Sequence, residues 1–238
     1  SSAASDVYKR QIYNRKYLVY NANEKDVEIG LIAVRNCIVN LNGENGASLI
    51  LNRSTGAKNR IGRIEIDNSI VYNGQAPSHG VVNVGKESTA QIGSIRLTNS
   101  TFADFVRGVI IVSTRMNDLK IRVNACTFYN VNTSENSAGV FHANLGNTEI
   151  EVVRSIFCIP GSSPKFIDAG AGSIVKITDS YRVNMQPRIR NPYGLLTTRG
   201  NERSVFASPA NDPLDGCTSY RIVDGALSGK KLGDPRWE

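Results

Sequence analysis

Ile64-Glu65-Ile66-Asp67-Asn68-Ser69-Ile70-Val71 is one copy of a short phrase that the 238-residue chain contains six times. In each copy two apolar residues alternate with polar ones, a bend residue follows, and a small residue then precedes a second apolar run. The other copies are Ile32–Val39, Ile95–Phe102, Ile121–Phe128, Ile150–Phe157 and Val175–Ser180. A unit that recurs every 25 to 32 residues is typical of stacked repeat architectures, which build extended binding surfaces.

The alternation with period two predicts a β-strand rather than a helix, with Ile64 and Ile66 on one face. It breaks at Asn68 and resumes one place out of phase at Ser69 and Val71. Because Asn and Asp adopt left-handed backbone angles more readily than other non-glycine residues, we expect a bend that joins two strands here. The small residue after the bend, Ser or Cys in every copy, predicts a crowded inward corner.

A second phrase follows each first one at a distance of about ten residues. Its copies are Gly80–Val84, Gly108–Val112 and Gly139–Ala143, with looser versions at Ser48–Asn52 and Lys165–Ala169. The corner residues Cys37, Ser69, Ser100, Cys126, Ser155 and Ser180 are 32, 31, 26, 29 and 25 residues apart. Parallel strands with that return length and no helix between them predict an all-β fold, a single-stranded right-handed parallel β-helix of about six to seven coils. The leucine-rich consensus is absent, and a propeller needs a longer repeat.

The chain divides into three parts. Residues 1–11, SSAASDVYKRQ, resemble a translated sequencing-adaptor read-through and contain neither the repeat nor a Met. We therefore expect an artefact there, followed by β-helix coils over residues 12–184 that are truncated on their N-terminal side. Residues 185–238 are interrupted by five prolines, and we expect an irregular cap that covers the C-terminal coil, with Trp237 packed against it.

The formal charge of +7 permits an acidic partner such as a polyuronate. The basic residues are spread along the chain without interleaved aromatic residues, so we expect no nucleic-acid partner. No stretch is long and apolar enough to cross a membrane. Cys37 and Cys126 occupy the corner position and are expected to be buried; a disulfide between Cys158 and Cys217 stays open, and no cysteine has metal-ligand spacing.

The outer face of the second phrase is the candidate groove. Alignment of the copies of the second phrase gives two columns of outward residues. The first contains Leu51, Asn83, Ile111, His142 and Asp168, and the second contains Arg53, Gly85, Ser113, Asn144 and Gly170. Coils stack about 4.8 Å apart, so His142 and Asp168 are expected side by side on neighbouring coils. Arg107 and Arg115 flank the strand that contains Ile111. The predicted substrate-binding residues are Asn83, Ser113, Arg115, His142, Asn144 and Asp168.

The candidate catalytic residues are His142, Asp168, Arg107 and Arg115. A histidine beside a carboxylate acts as an acid or a base near neutral pH. An arginine neutralises a uronate carboxylate through a two-pronged contact, which in a lyase acidifies the proton alpha to that carboxylate. The alternative interpretation is that His142 and Asp168 form an exposed polar pair on a solvated sheet.

Two other chemistries are not visible in the pattern. Glycoside hydrolysis needs paired carboxylates, but Asp67 is expected on a different face from Asp168, and Asp104 in a loop after the bend. No cluster of acidic residues predicts a calcium site. We therefore expect no metal and no other cofactor, with Ca²⁺ relevant only to a lyase-like enzyme.

The repeats resemble the pectate-lyase-like right-handed β-helix superfamily, whose asparagine ladder occupies the bend position of Asn36, Asn68, Asn99 and Asp179. The ending Leu232-Gly-Asp-Pro-Arg-Trp237 resembles the C-terminus of uncharacterised Bacteroidetes secreted proteins with a β-helix domain of unknown function. That family is associated with polysaccharide-utilisation gene clusters. The resemblance implies a polysaccharide or oligosaccharide partner and an extracellular, cell-surface or periplasmic place, with an export signal or lipoprotein anchor upstream. It supplies no catalytic residues, because the arginine and calcium-binding acids of classical pectate lyases have no match here.

Three functions remain open at this point. The first is an exported protein that binds acidic polysaccharide along the groove without catalysis. The second is a polysaccharide lyase or hydrolase, and the third is a surface stalk without a ligand. We expect a monomer.

Overall fold

The computed structural model describes residues 11–13, 16–42, 45–76, 78–134, 139–159, 166–184 and 194–238. These residues form a parallel β-solenoid of about five turns, since two of its three sheets stack six strands each, which five turns connect. The expected six to seven coils slightly exceed this number. Residues 1–10 of the presumed artefact lie outside the described residues, whereas Gln11 begins a strand and pairs with Ile38.

Twenty short strands build the solenoid within the described residues. They are β1 (Gln11–Tyr13), β2 (Tyr17–Asn21), β3 (Val27–Arg35), β4 (Ile38–Asn40), β5 (Ser48–Asn52), β6 (Asn59–Asp67), β7 (Ile70–Gly74), β8 (Val82–Val84), β9 (Gln91–Thr98), β10 (Thr101–Phe105), β11 (Ile110–Val112), β12 (Leu119–Asn124), β13 (Thr127–Val131), β14 (Phe141–Ala143), β15 (Thr148–Val153), β16 (Ile156–Cys158), β17 (Ile167–Ala169), β18 (Ile174–Thr178), β19 (Tyr181–Val183) and β20 (Leu196–Thr197). Sheet 1 has the order β1-β4-β7-β10-β13-β16-β19-β20, sheet 2 the order β17-β14-β11-β8-β5-β2, and sheet 3 the order β18-β15-β12-β9-β6-β3.

The first phrase crosses from sheet 3 to sheet 1 through the predicted bend. The residue at the bend has a positive φ in all six copies, including two where it is neither Asn nor Asp. These φ values lie between 46° and 54° at Asn36, Asn68, Asn99, Ala125, Arg154 and Asp179. The geometry of the bend therefore belongs to the repeat itself, and Asn is the residue that adopts it with least strain.

The small corner residues after the bend form a hydrogen-bonded column, called here the corner ladder. Ser69 Oγ accepts from the Cys37 amide at 3.1 Å, and Ser100 Oγ accepts from the Ser69 amide at 3.0 Å. Each hydroxyl also donates to the carbonyl two residues earlier, as Ser100 Oγ does to Thr98 at 2.6 Å. Cys126 takes the same part, since its thiol donates to the Asn124 carbonyl at 3.4 Å. The buried cysteines of the phrase thus stand in for serine as hydrogen-bonding groups.

The interior of the solenoid is apolar, as the phrase predicts. Ile64, Ile66 and Val71 are fully buried. The aromatic residue that ends three of the phrases stacks from coil to coil, with ring centroids 5.2 Å apart for Phe102 and Phe128 and 4.4 Å apart for Phe128 and Phe157. Parallel in-register stacking of this kind adds about 0.5–1.5 kcal/mol per pair beyond the area that it buries.

Residues 194–238, called here the C-terminal segment, contain α1 (Glu202–Val205), the antiparallel pair β21 (Phe206–Ser208) and β22 (Ser219–Ile222), and a 3₁₀ helix at Pro235–Trp237. Residues 185–193 of the predicted cap lie outside the described residues. Only β20 extends the end of the stack, where it pairs with β19. No helix in the described part of the chain is long and apolar enough to cross a membrane.

Most of the C-terminal segment lies along the outer side of sheet 1 rather than over the last coil. Thr101 Oγ1 donates to Asp234 at 2.7 Å and accepts from Trp237 Nε1 at 2.7 Å, and Tyr220 packs on Tyr129 with centroids 5.0 Å apart. The prediction that Trp237 packs against the C-terminal coil is therefore wrong. The physical reason is that sheet 1 has apolar outward residues such as Tyr129 and Ile70, which need a cover.

The four cysteines are free thiols. Cys158 is buried under the C-terminal segment, whereas Cys217 is exposed, so the disulfide left open by the sequence is not formed. Asp104 also differs from expectation, because it lies within β10 and not in a loop.

Candidate functional site

The register that the second phrase predicts is the observed one on sheet 2. Leu51 pairs with Asn83, Asn83 with Ile111, Ile111 with His142, and His142 with Asp168. These five residues are called here the outer column. Beside it runs the second column of Arg53, Gly85, Ser113, Asn144 and Gly170.

The outer column is the floor of the site rather than an exposed face. Leu51 and Ile111 are 0% and 1% exposed, while Asn83 and His142 are 6% and 9% exposed. The interpretation of His142 as part of an exposed pair is therefore wrong. In the second column Arg53 and Asn144 are exposed and Ser113 is half-buried, so this column offers most of the accessible polar groups.

His142, Asp168 and Asn144 form a polar cluster at the last two coils. His142 Nδ1 lies 2.8 Å from Asp168 Oδ2, and the Asn144 amide donates to the same oxygen at 3.3 Å. Parallel pairing of β14 with β17 brings His142 and Asp168 side by side, as the sequence predicts. A carboxylate in this position accepts a hydrogen bond from the imidazole and so orients the ring.

A second polar cluster lies one to two coils earlier, around His79. Arg53 Nη2 lies 3.3 Å from His79 Nε2, and Ser78 Oγ lies 2.7 Å from His79 Nδ1. Because a guanidinium only donates, Nε2 must accept, so the proton is on Nδ1 and is donated to Ser78. Burial lowers the pKa of His79, and the nearby charges of Arg53 and Arg107 lower it further. His79 is consequently a neutral imidazole between two cations.

Arg107 is half-buried at the start of the β11 coil. Its guanidinium makes no hydrogen bond or ion pair with any residue that the structure describes, and its Nε is buried without an acceptor. Burial lowers the pKa of Arg107, in the direction expected for a desolvated cation. Arg115 is exposed at the other end of the same strand, where its carbonyl accepts from the Gln91 side chain. The two predicted arginines therefore have different environments.

Several charges on the outer face of sheet 3 are paired with one another. Arg35 and Arg63 pair with Glu65 at 2.7 and 3.3 Å. Arg122 pairs with Glu149 at 2.7 Å and with Glu151 at 3.1 Å. Paired charges along a solvated sheet are typical of a structural surface rather than of a ligand site.

The carboxylates considered for hydrolysis have structural partners. Asp67 ends β6 in sheet 3 and accepts from the side chains of Thr98 and Asn99, so it lies on a different face from Asp168. Asp104 accepts from Asn130 and Gln75 at 2.9 and 2.7 Å, and burial raises its pKa. Among the described ranges no three His, Cys, Asp or Glu residues come together in a way that could hold a metal ion. The described residues therefore provide no set of ligands for the calcium ion of a classical pectate lyase.

Sequence reasoning missed His79 and the position of the Arg53 guanidinium. Two signals were available. His79 precedes Gly80 in one second phrase as Arg107 precedes Gly108 in the next, so the two side chains occupy the same place on successive coils. Arg53 is also the neighbour of Gly85 in the second column, where the absence of a side chain leaves room for a long one.

No protein-family model, curated protein sequence or solved structure matches the chain. The parallel solenoid implied by the resemblance is present, whereas the pectate-lyase-like and Bacteroidetes relationships stay predictions.

Proposed function

We propose that the protein binds an acidic glycan along the outer side of sheet 2. The distribution of charge over the three faces carries the proposal. Sheet 1 packs against the C-terminal segment, and several arginines of sheet 3 are paired with glutamates. Beside sheet 2, in contrast, Arg53, Arg107 and Arg115 make no ion pair with any described residue. An anionic ligand would supply the missing negative charge.

The form of the surface supports a polymer as the ligand. Ser113 and Asn144 repeat at equivalent places on successive coils, and their side chains suit the hydroxyl groups of sugars. Coils about 4.8 Å apart present such groups at regular intervals, which a chain of repeated sugars can follow. A uronate adds the carboxylate that arginine recognises with its planar fork. The proposal also covers the origin and location of the protein. It is exported to the cell surface of a Bacteroidetes bacterium, is related to the pectate-lyase-like β-helix proteins, and acts as a monomer.

The test is affinity electrophoresis in gels that contain polygalacturonate, alginate or a neutral glycan. We expect retardation by an acidic glycan, weakened in Arg115→Gln. Arg96→Gln is the matched control, because Arg96 is an exposed arginine on the outer face of sheet 3 that forms no ion pair with a described residue. Equal retardation of both variants, or equal retardation in neutral gels, would contradict an acidic-glycan site on sheet 2. Absence of retardation in every gel would leave the stalk function as the better account.

A second candidate function is cleavage of the bound glycan. The observation that favours it is the 2.8 Å contact between His142 Nδ1 and Asp168 Oδ2, since a carboxylate-oriented histidine is a common acid–base pair. The same incubations are followed by the ultraviolet absorbance of unsaturated lyase products and by the release of reducing ends. Product formation that His142→Gln abolishes, with gel retention kept, would favour the enzyme.

A further inference from the structure

The Arg53 side chain crosses the outer face of β8. At one end its Cγ lies next to Gly85, where an added Cβ would approach it to 3.2 Å, and at the other its guanidinium reaches His79. Gly85 and His79 lie beyond opposite ends of β8, and Asn83 is the outward residue between them. Arg53 therefore has contacts beyond both ends of the strand that contains Asn83, whose side chain is 6% exposed.

The side chain of Asn83 is without a hydrogen-bonding partner among the residues that the structure describes, although the residue as a whole is only 6% exposed. The polar atoms of the amide keep access to solvent. The Asn83 donor is thus available for a ligand that enters beneath or beside Arg53.

Arg107 supplies a second unpaired donor on the next coil. Gly80 lies against the carbonyl of Gly108, so the residues before them, His79 and Arg107, are neighbours across the two coils. Within the described ranges, the buried Nε of Arg107 has no acceptor, and the Arg53 guanidinium has no partner other than the His79 ring. Two cations and an amide converge here with no carboxylate beside them in the described part of the chain.

We propose that Arg53, Arg107 and Asn83 form a binding site for one anionic oxygen group, a carboxylate or a sulfate. The neutral His79 ring lies beside this site. The inference rests on the proposed function, and it names the group on the glycan that gives specificity. Arginine donates two parallel hydrogen bonds to such groups, and the exchange of a neutral histidine acceptor for an anion strengthens each bond. Arg53 then turns from His79 to the ligand, and the Asn83 amide donates to the same group.

The first experiment needs no glycan. The chain has two histidines, His79 and His142, so His142→Gln leaves one imidazole signal to follow by NMR. Titration with sodium sulfate, and in parallel with galacturonate, is expected to raise the pKa of His79, because a bound anion offsets the two arginine charges. Sodium chloride at equal ionic strength is the control for screening. A His79 pKa that responds equally to all three salts would overturn the site.

The second experiment measures affinity with the full chain. Arg107→Gln should weaken sulfate or oligogalacturonate binding roughly ten- to hundredfold, the effect of one charge-assisted hydrogen bond. Arg96→Gln, which removes the same charge from sheet 3, should leave it unchanged. Asn83→Leu tests the amide at similar volume, and its circular dichroism shows whether the coil still folds.

A third experiment, with polymeric ligands, distinguishes failure of this inference from failure of the proposed function. Polygalacturonate, its carboxyl-reduced neutral form and a sulfated glycan are compared on the wild-type chain and on Arg107→Gln. Preference for polygalacturonate identifies a carboxylate, and preference for the sulfated chain a sulfate ester. Sulfate binding without retention of any polymer would refute the glycan function and keep the anion site. Retention that neither carboxyl reduction nor Arg107→Gln affects would keep the function and refute the site.

Discussion

Replacement of Ser100 by alanine tests whether the corner ladder holds the coils together. Ser100 is fully buried at the third corner of the solenoid. Its hydroxyl accepts from the Ser69 amide at 3.0 Å and donates to the Thr98 carbonyl at 2.6 Å. Alanine fits the space but removes both bonds, so the Ser69 amide becomes a buried donor without an acceptor.

The expected loss follows from that unpaired amide. A buried donor left without a partner costs about 1–3 kcal/mol, so we expect the free energy of unfolding to fall by about 2 kcal/mol. In a chain of this size the corresponding drop in Tm is roughly 4–8 °C. Ser100→Cys should recover most of the loss, because Cys126 already occupies the equivalent corner with its thiol donating to a carbonyl.

Urea unfolding followed by circular dichroism measures the difference, and hydrogen exchange localises it. Exchange of the Ser69 amide should accelerate roughly 30-fold for a loss of 2 kcal/mol. Ser208→Ala is the matched control, because Ser208 is exposed in β21 and makes no side-chain hydrogen bond with a described residue. If Ser100→Ala lowers stability no more than Ser208→Ala does, the ladder is a packing feature without a hydrogen-bonding role.

Three further predictions concern the C-terminal segment. In the native protein a thiol reagent should label Cys217 alone, and three more thiols only after unfolding, since Cys217 is the exposed cysteine; labelling of a second thiol at the same rate would contradict this burial. Trp237→Ala removes the hydrogen bond to Thr101 and should destabilise the C-terminal segment by roughly 3 kcal/mol. We expect faster proteolysis within residues 202–238 while the circular dichroism spectrum of the solenoid persists. Unchanged proteolysis would refute the anchoring role of Trp237. Burial raises the pKa of Asp234 above 3.8, so the folded state holds its proton more tightly than the unfolded state, and stability falls as pH rises from 3.8 through the folded-state pKa. Urea midpoints across that range should therefore show wild-type stability declining relative to Asp234→Asn, and parallel profiles would refute the assignment.

The repeat made the solenoid and its register predictable. Ile64 and Ile66 point inward because alternate residues of a strand lie on the same face, and the apolar face packs in the core. One bend residue in each copy then marks the point where the chain passes from sheet 3 to sheet 1. Since equivalent positions stack, the pairing of His142 with Asp168 followed from counting along the second phrase. The inward and outward positions of a stacked repeat are local properties, which sequence periodicity encodes directly.

The path of the C-terminal segment could not be predicted in the same way. Its contacts with Thr101 join residues more than 130 positions apart in the chain, and no periodicity links them. The outward Tyr129 and Ile70 of sheet 1 were a signal that this face needs a cover, but which segment supplies it depends on shape complementarity between surfaces. The same limit applied to the Arg53 guanidinium, whose direction depends on the space above Gly85.

The sequence by itself therefore determined the parallel solenoid, the inward apolar core, the bend and the columns of sheet 2. Those features depend on backbone geometry and on the apolar pattern, which repeat with the phrase. The tertiary structure alone decided that most of the outer column is buried, that Asp104 and Asp67 have structural partners, and that Arg53 and Arg107 both lie near His79. These three findings depend on long side chains that cross between coils. The burial and the electrostatic environment of a side chain are set only when the coils are stacked.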